Sequence, residues 1–207
     1  MTWVKICGIT NLEDALEAHA LGVQALGFIF APSPRRVDPS RARDIICNLP
    51  ASLMKVGVFV NRKFDEVQRI AEACGLNALQ FHGQEPPEYC RQVSLPVIKA
   101  IGIKDAESLK EMEKYSFASI LLDASAPGQA GGTGKTFAWE LALEARKKRN
   151  FILSGGLNPL NVYRAIQILS PIGVDVCSGV EKVPRVKDRG KMIEFVKEVR
   201  KADESAG

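Results

Sequence analysis

Eight times along the chain, a short apolar and β-branched run is followed by a longer segment with apolar residues at helical spacing. The strand-like runs lie at 3–7, 24–30, 53–60, 77–82, 96–101, 118–123, 150–154 and 172–177, and the helical segments at 11–21, 39–48, 63–74, 86–93, 105–115, 137–148, 158–169 and 188–201. Start and stop signals agree with this division. Thr10-Asn11-Leu12-Glu13 reads as a capping box, and Asp38-Pro39 and Asn158-Pro159 as N-caps followed by a first-turn proline. Gly22 and Gly75 stand where the first and third helices should stop. Strict alternation demands parallel strands, because hairpins would leave no helix between each pair. The 207 residues give about 26 per unit, enough for a strand, a helix and two short loops, and eight such units close into a (β/α)8 barrel. The expected organisation is one barrel domain over 1–207. An open doubly wound sheet would need a G-x-G-x-x-G turn after the first strand, and Cys7-Gly8-Ile9-Thr10-Asn11 stands there instead.

Composition removes several classes of chemistry. Five cysteines, at 7, 47, 74, 90 and 177, form no C-x-x-C pair, and there are only two histidines, His19 and His82. That is neither a zinc framework nor a disulfide scaffold. The net charge of +4 comes from residues 182–201, which hold eight basic and three acidic residues. A local basic end fits a solvated helix face or a small anion better than a nucleic-acid stripe. No apolar run approaches the ~18–20 residues of a membrane span, and Lys5 interrupts any signal-like start, so the cytoplasm is the expected compartment.

In a (β/α)8 barrel the active site lies at the C-terminal ends of the strands. That rule selects Cys7, Arg35 and Arg36, Asn61, His82, Asp123, Ser154-Gly155-Gly156 and Cys177-Ser178-Gly179. Glycines after the seventh and eighth strands let backbone N–H groups approach one anion, which suggests a phosphate site at Gly155, Gly156, Ser178 and Gly179. The Gly128–Thr136 stretch resembles a P-loop, but the glycine required five residues before Gly134 is Gln129, and a mobile cover over substrate accounts for it better.

Strand alternation places Trp3, Lys5 and Cys7 on the inner face, where the Lys5 ammonium would favour a Cys7 thiolate. Asp123 ends the sixth strand, either as a cap or as an acid/base group in the barrel mouth. The next helix starts too late for the cap reading to be attractive. Arg35-Arg36 follows a loop stiffened by Pro32 and Pro34 and suits a carboxylate ligand or a solvated pair equally well. His82, between Phe81 and Gly83, is a general base or a structural histidine.

These residues sit in segments that together resemble the phosphoribosylanthranilate isomerases: Val4–Thr10, Gly27–Phe30 with Ser33–Arg36, Val56–Asn61, Leu79–Gly83, Leu121–Asp123, Gly131–Phe137, Leu153–Pro159 and Val174–Glu181. The resemblance implies a cofactor-independent aldose–ketose isomerase of tryptophan biosynthesis. It would carry out an Amadori rearrangement of N-(5-phosphoribosyl)anthranilate to 1-(2-carboxyphenylamino)-1-deoxyribulose 5-phosphate. It further implies Asp123 as general acid, Cys7 as general base, Arg36 on the anthranilate carboxylate, and the sugar phosphate on Gly155, Gly156, Ser178 and Gly179. His82 and Lys5 are secondary candidates for substrate contact. No metal, cofactor, nucleic acid or membrane partner is implied, and homodimer and monomer both stay open. Cys177 departs from the serine expected there and reads as a tolerated core-facing change. A different phosphate-binding barrel enzyme, such as an indole-glycerol-phosphate synthase or a sugar-phosphate isomerase, would share the glycine loops but needs no thiol after the first strand. A non-catalytic phosphosugar-binding module is the third reading.

Overall fold

The computed structural model describes residues 1–103, 105–123 and 139–205. Eight parallel strands close into a barrel: β1 (Trp3–Cys7), β2 (Ala25–Ile29), β3 (Met54–Phe59), β4 (Ala78–Phe81), β5 (Val97–Gly102), β6 (Ser119–Asp123), β7 (Ile152–Ser154) and β8 (Gly173–Val176). Between and after them run α1 (Leu12–Ala20), α2 (Pro39–Ile46), α3 (Phe64–Cys74), α4 (Pro87–Cys90), α5 (Ala106–Lys114), α6 (Trp139–Lys148), α7 (Val162–Leu169) and α8 (Arg189–Glu204). Closure is direct, because β1 pairs with β8 from Trp3↔Gly173 to Ile6↔Val176. The (β/α)8 expectation therefore holds, and the open-sheet alternative fails.

Alternation along each strand sorts side chains into two cores. Outward residues such as Val4, Ile6, Leu26, Phe28, Val174 and Val176 pack under the helices in one large cluster. Inward residues form a smaller cluster of Ala25, Val56, Ala78, Ile98, Ala100, Leu121 and Ile152, with Trp3 and Met54 at its lower end. Two residues further along several of these strands the inner face turns polar: Lys5, Gln80 and Asp175 are all buried. The next step reaches the mouth of the barrel at Cys7, His82, Asp123 and Cys177.

Several local expectations shift. The N-cap of α1 is Asn11, whose side chain accepts from Asp14 N, while Thr10 Oγ1 donates to the carbonyl of Arg185 at 2.7 Å. Asn158 and Asn161 hold a turn by reciprocal side-chain bonds to Leu160 N and Asn158 N, so α7 begins at Val162 rather than at 158. Helix α4 ends at Cys90, before the β-branched Val93 and the Leu95-Pro96 pair, which favour extended backbone. Between β8 and α8 lies an unexpected insertion: a 3-10 turn at Ser178–Val180 and a hairpin of β9 (Glu181–Val183) and β10 (Val186–Lys187). The 128–136 stretch, expected to cover the substrate, lies outside the described residues.

Candidate active site

The mouth of the barrel is one cavity lined by residues from seven strands and their loops. Cys7, Gln80, His82, Asp123, Ser154, Gly155, Gly156, Asp175, Cys177 and Ser178 contribute its polar surface, and Ile29, Val58 and Leu157 its apolar surface. The structure thus brings together most of the strand-end candidates. Arg35, Arg36 and Gly179 do not line the cavity, and neither does Asn61. Its Oδ1 accepts from Gln84 N at 2.7 Å, which fixes loop backbone and contributes nothing to the cavity wall.

Cys7 is 5% exposed and owes its position to Gly27, its register partner on β2: a Cβ there would lie 2.5 Å from the Cys7 sulfur. The thiol is drawn down to about 6. The largest influence is a hydrogen bond with the Cys177 thiol; burial opposes the lowering, and the Lys5 and Lys187 charges reinforce it. Lys5 does not reach the cavity. Its side chain is completely buried and its Nζ lies 2.8 Å from Asp175 Oδ1. Burial disfavours this cation, but Asp175 and Cys7 outweigh burial and raise its pKa further. The expected substrate contact by Lys5 is therefore corrected: the lysine acts from beneath the site, through its field.

Asp123 and His82 form a dyad across the mouth, with Nε2 2.9 Å from Asp123 Oδ2. Burial works against the imidazolium, yet the hydrogen bond and charge of Asp123 prevail and the His82 pKa is raised. On the other side of the ring, Gln80 Nε2 lies 3.0 Å from Nδ1 and donates to it, so neutral His82 carries its proton on Nε2, toward Asp123. The loop is held by a buried ion pair. Lys99 Nζ contacts Glu85 Oε2 at 3.0 Å and donates to the two carbonyls flanking His82, Phe81 O at 3.3 Å and Gly83 O at 2.6 Å. Glu85 in turn takes the N–H groups of Asn61 and Gly83. A lone Asp123 carboxyl would need a strongly raised pKa to hold a proton; beside His82 the pair can store it.

Two residues of the site escaped sequence reasoning. Asp175 binds Lys5 through Oδ1 and accepts from Ser154 Oγ through Oδ2 at 3.2 Å. Gln80 is almost completely buried, and its Oε1 is the one buried side-chain polar atom among the described residues without a hydrogen bond. Both lie two positions before a strand-end candidate, so the alternation that selected Cys7 would have selected them.

The glycine loops divide their work. Gly155 and Gly156 have φ of +89° and +68° and line the cavity, and a Cβ on Gly156 would meet nothing within 4 Å. Gly179 does not line it: a Cβ there would lie 1.8 Å from Leu157 O, so glycine is needed to pack the two loops together. A side chain at 179 is excluded by sterics rather than by a ligand. Ser178 opens the 3-10 turn and faces the cavity.

The two arginines also separate. Arg35 grips Glu181 with Nε at 2.8 and 2.9 Å and Nη2 at 2.7 Å. Arg36 is exposed at the rim, and among the described residues its side chain makes no ion pair. Much of the basic C-terminal segment is similarly spent on internal bonds. Lys187 is buried against Glu181 and Cys177 O, and Lys191 donates to Glu181 O.

The residues 4–198 match the family model for N-(5'-phosphoribosyl)anthranilate (PRA) isomerase. N-(5'-phosphoribosyl)anthranilate isomerase of Geotalea uraniireducens is 51% identical over 198 residues, covering 95% of this chain and 98% of that one. Its counterpart in Desulforudis audaxviator is 50% identical over 204 residues, covering 98% and 100%. The crystal structure of phosphoribosyl anthranilate isomerase from Thermotoga maritima superposes with a TM-score of 0.93 at 45% identity, covering 97% of this chain and 100% of that one. A crystal structure of the isomerase in complex with reduced 1-(o-carboxyphenylamino)-1-deoxyribulose 5-phosphate superposes with a TM-score of 0.88 at 42% identity, with the same coverage. Sequence and fold agree over nearly the whole length, and the chain belongs to the N-(5'-phosphoribosyl)anthranilate isomerase family.

Proposed function

We propose that the chain, as one unit over 1–207, isomerises N-(5-phosphoribosyl)anthranilate to 1-(2-carboxyphenylamino)-1-deoxyribulose 5-phosphate by acid/base catalysis from the mouth of the barrel. The observation that carries the residue assignment is the facing pair of a lowered thiol and a protonatable Asp123–His82 dyad in one cavity. Asp123 delivers a proton to the furanose oxygen as the C1–O bond breaks, and the anilino nitrogen supplies electrons to form an iminium. The Asp123 carboxylate left behind accepts from His82 Nε2–H at 2.9 Å and regains its proton from solvent. The iminium acidifies the C2 hydrogen, the Cys7 thiolate removes it, and the enolamine tautomerises to the ketone.

Binding is divided between the two ends of the substrate. The phosphate meets N–H groups of the Gly155-Gly156 and Ser178-Gly179 loops, where positive φ at 155 and 156 turns the backbone without side-chain bulk. Arg36 takes the anthranilate carboxylate, since Arg35 is already committed to Glu181. The complex of a relative with reduced 1-(o-carboxyphenylamino)-1-deoxyribulose 5-phosphate supports a phosphosugar–anthranilate ligand. The proposed setting is the cytoplasm, and no helix among the described residues is long and apolar enough to cross a membrane.

The test is turnover of phosphoribosylanthranilate by purified protein without added metal or nucleotide. Cys7→Ala and Asp123→Asn are each expected to lower kcat by about 10²–10⁴-fold with little change in KM. Unchanged kcat in either variant removes that residue from its role, and loss of wild-type activity on chelation overturns the mechanism.

A further inference from the structure

Cys177 differs from the other cysteines outside the mechanism. Cys74 and Cys90 are buried in the outer core, and Cys47 is exposed at the end of α2. Cys177 faces the cavity from the end of β8, beside the end of β1. The register fixes this neighbourhood. Lys5 pairs with Asp175 across the two strands and touches it, so the next inward step on each strand brings Cys7 and Cys177 together. The position of a Cβ on Gly8, the residue after Cys7, would be 2.9 Å from the Cys177 sulfur.

Cys177 is itself held. The completely buried Lys187 donates to Cys177 O at 3.0 Å, lies 3.9 Å from its sulfur, and is anchored by Glu181 at 3.3 Å. Glu181 also receives the Arg35 guanidinium. The hairpin that follows β8 therefore fixes the direction of the Cys177 side chain, and the reading of Cys177 as a tolerated core-facing change is replaced.

We propose that Cys177 is a positioning residue for the reaction: its S–H donates to the Cys7 sulfur and holds that sulfur in the thiolate form that takes the C2 proton. The proposal rests on the assignment of Cys7 as the base. Its chemistry is the ordinary preference of an anion for a donor in a dry site, where a hydrogen bond to the charged form favours ionisation. Of the two sulfurs, Cys7 carries the charge because the Lys5 cation lies beneath it, while Cys177 keeps its proton and its pKa is raised by the bond to Cys7 and by burial. A hydroxyl at 177 would donate in the same way, but a methyl group would not.

The experiment compares wild type with Cys177→Ser and Cys177→Ala. Two profiles are measured against pH: the iodoacetamide alkylation rate of Cys7, followed by peptide mass spectrometry, and kcat/KM for phosphoribosylanthranilate. Cys177→Ala is expected to move the Cys7 alkylation profile up by about one pH unit or more, and Cys177→Ser to stay close to wild type. The acid limb of kcat/KM should move with it, lowering the rate at pH 7 in the alanine variant about twofold for a one-unit shift and about tenfold for two units. An unmoved alkylation profile in Cys177→Ala overturns the proposal, as does an equal shift in both variants. A moved alkylation profile with an unmoved kcat/KM limb supports the thiol coupling but overturns Cys7 as the base, so the two failures are distinct.

Discussion

Replacing Lys5 by methionine separates the stability of the barrel from the chemistry at its mouth. The ammonium is 0% exposed and its partner Asp175 5%, at 2.8 Å, with Asp175 Oδ2 also bound by Ser154. Removing the cation alone leaves a buried carboxylate with one hydroxyl donor. Breaking such a pair typically costs about 3–5 kcal/mol, most of it from the stranded charge. Adding Asp175→Asn should recover all but about 2 kcal/mol of that loss, because the neutral amide needs no counter-ion. Urea unfolding of the four members of the cycle reads these values directly. Catalysis gives a second number. With the Cys7 pKa at about 6, roughly nine-tenths of the thiol is ionised at pH 7; an ordinary thiol near 8.5 would be about 3% ionised, so the full lowering is worth about 30-fold. Lys5 supplies part of this and the Cys177 bond a larger share, so Lys5→Met should lose about two- to fivefold in kcat/KM at pH 7 and recover at pH 9. A loss below about 1 kcal/mol, with no rescue by Asp175→Asn, would refute the stranded-charge reasoning. A rate deficit that persists unchanged at pH 9 would refute the electrostatic one.

Arg36→Ala is expected to raise KM about 10- to 100-fold with kcat nearly intact, whereas Arg35→Ala should leave KM closer to wild type and cost about 1–3 kcal/mol of unfolding free energy through Glu181. Steady-state kinetics with urea unfolding distinguishes them. Gly156→Ala faces open space and carries only the left-handed backbone cost of about 1–2 kcal/mol, whereas Gly179→Ala must displace Leu157 O and should be the more destabilising variant by thermal unfolding. The lowered Cys7 also gives the fold a pH dependence. Between about 6 and 9 the unfolded chain holds a proton that the folded chain has released, so stability rises with pH, by at most about 1.4 kcal/mol per unit, and this contribution is lost as pH falls through 6. Above 9 the raised Cys177 keeps its proton in the fold and the trend reverses. A wild-type curve parallel to that of Cys7→Ala across this range would contradict the assignment.

Periodicity made the barrel legible because a helical segment follows each of eight strand-like runs, which no hairpin arrangement tolerates, and strand ends named Cys7, His82 and Asp123 before any geometry. What alternation could not reveal was partner choice. Arg35 and Arg36 are indistinguishable in sequence, and only the hairpin's Glu181 commits the first and frees the second. That hairpin was itself hidden: its strands are three and two residues long, and the turn uses Arg185 at φ +79° where a glycine or asparagine would have signalled it. Thr10 looked like a helix cap because the local pattern allows one, but the same hairpin takes its hydroxyl through Arg185 O.

The reactive layer and the layer beneath it are parts of one construction. In each of three strands, a polar residue buried inside the barrel precedes a site residue by two positions: Lys5 before Cys7, Gln80 before His82, Asp175 before Cys177. An apolar residue would fill that level at lower cost, as Val56 and Leu121 do on other strands. The polar choices are useful because a parallel strand fixes the direction of every second side chain, so a charge placed below acts on the group above at a distance set by the backbone rather than by a mobile loop. Lys5 can then favour the Cys7 thiolate without competing for the substrate anion, and Gln80 can fix the His82 tautomer without occupying the mouth. The same geometry explains why the charged floor is closed: Asp175 neutralises Lys5, so the cavity receives the local field of the pair rather than a net positive charge that would bind any anion.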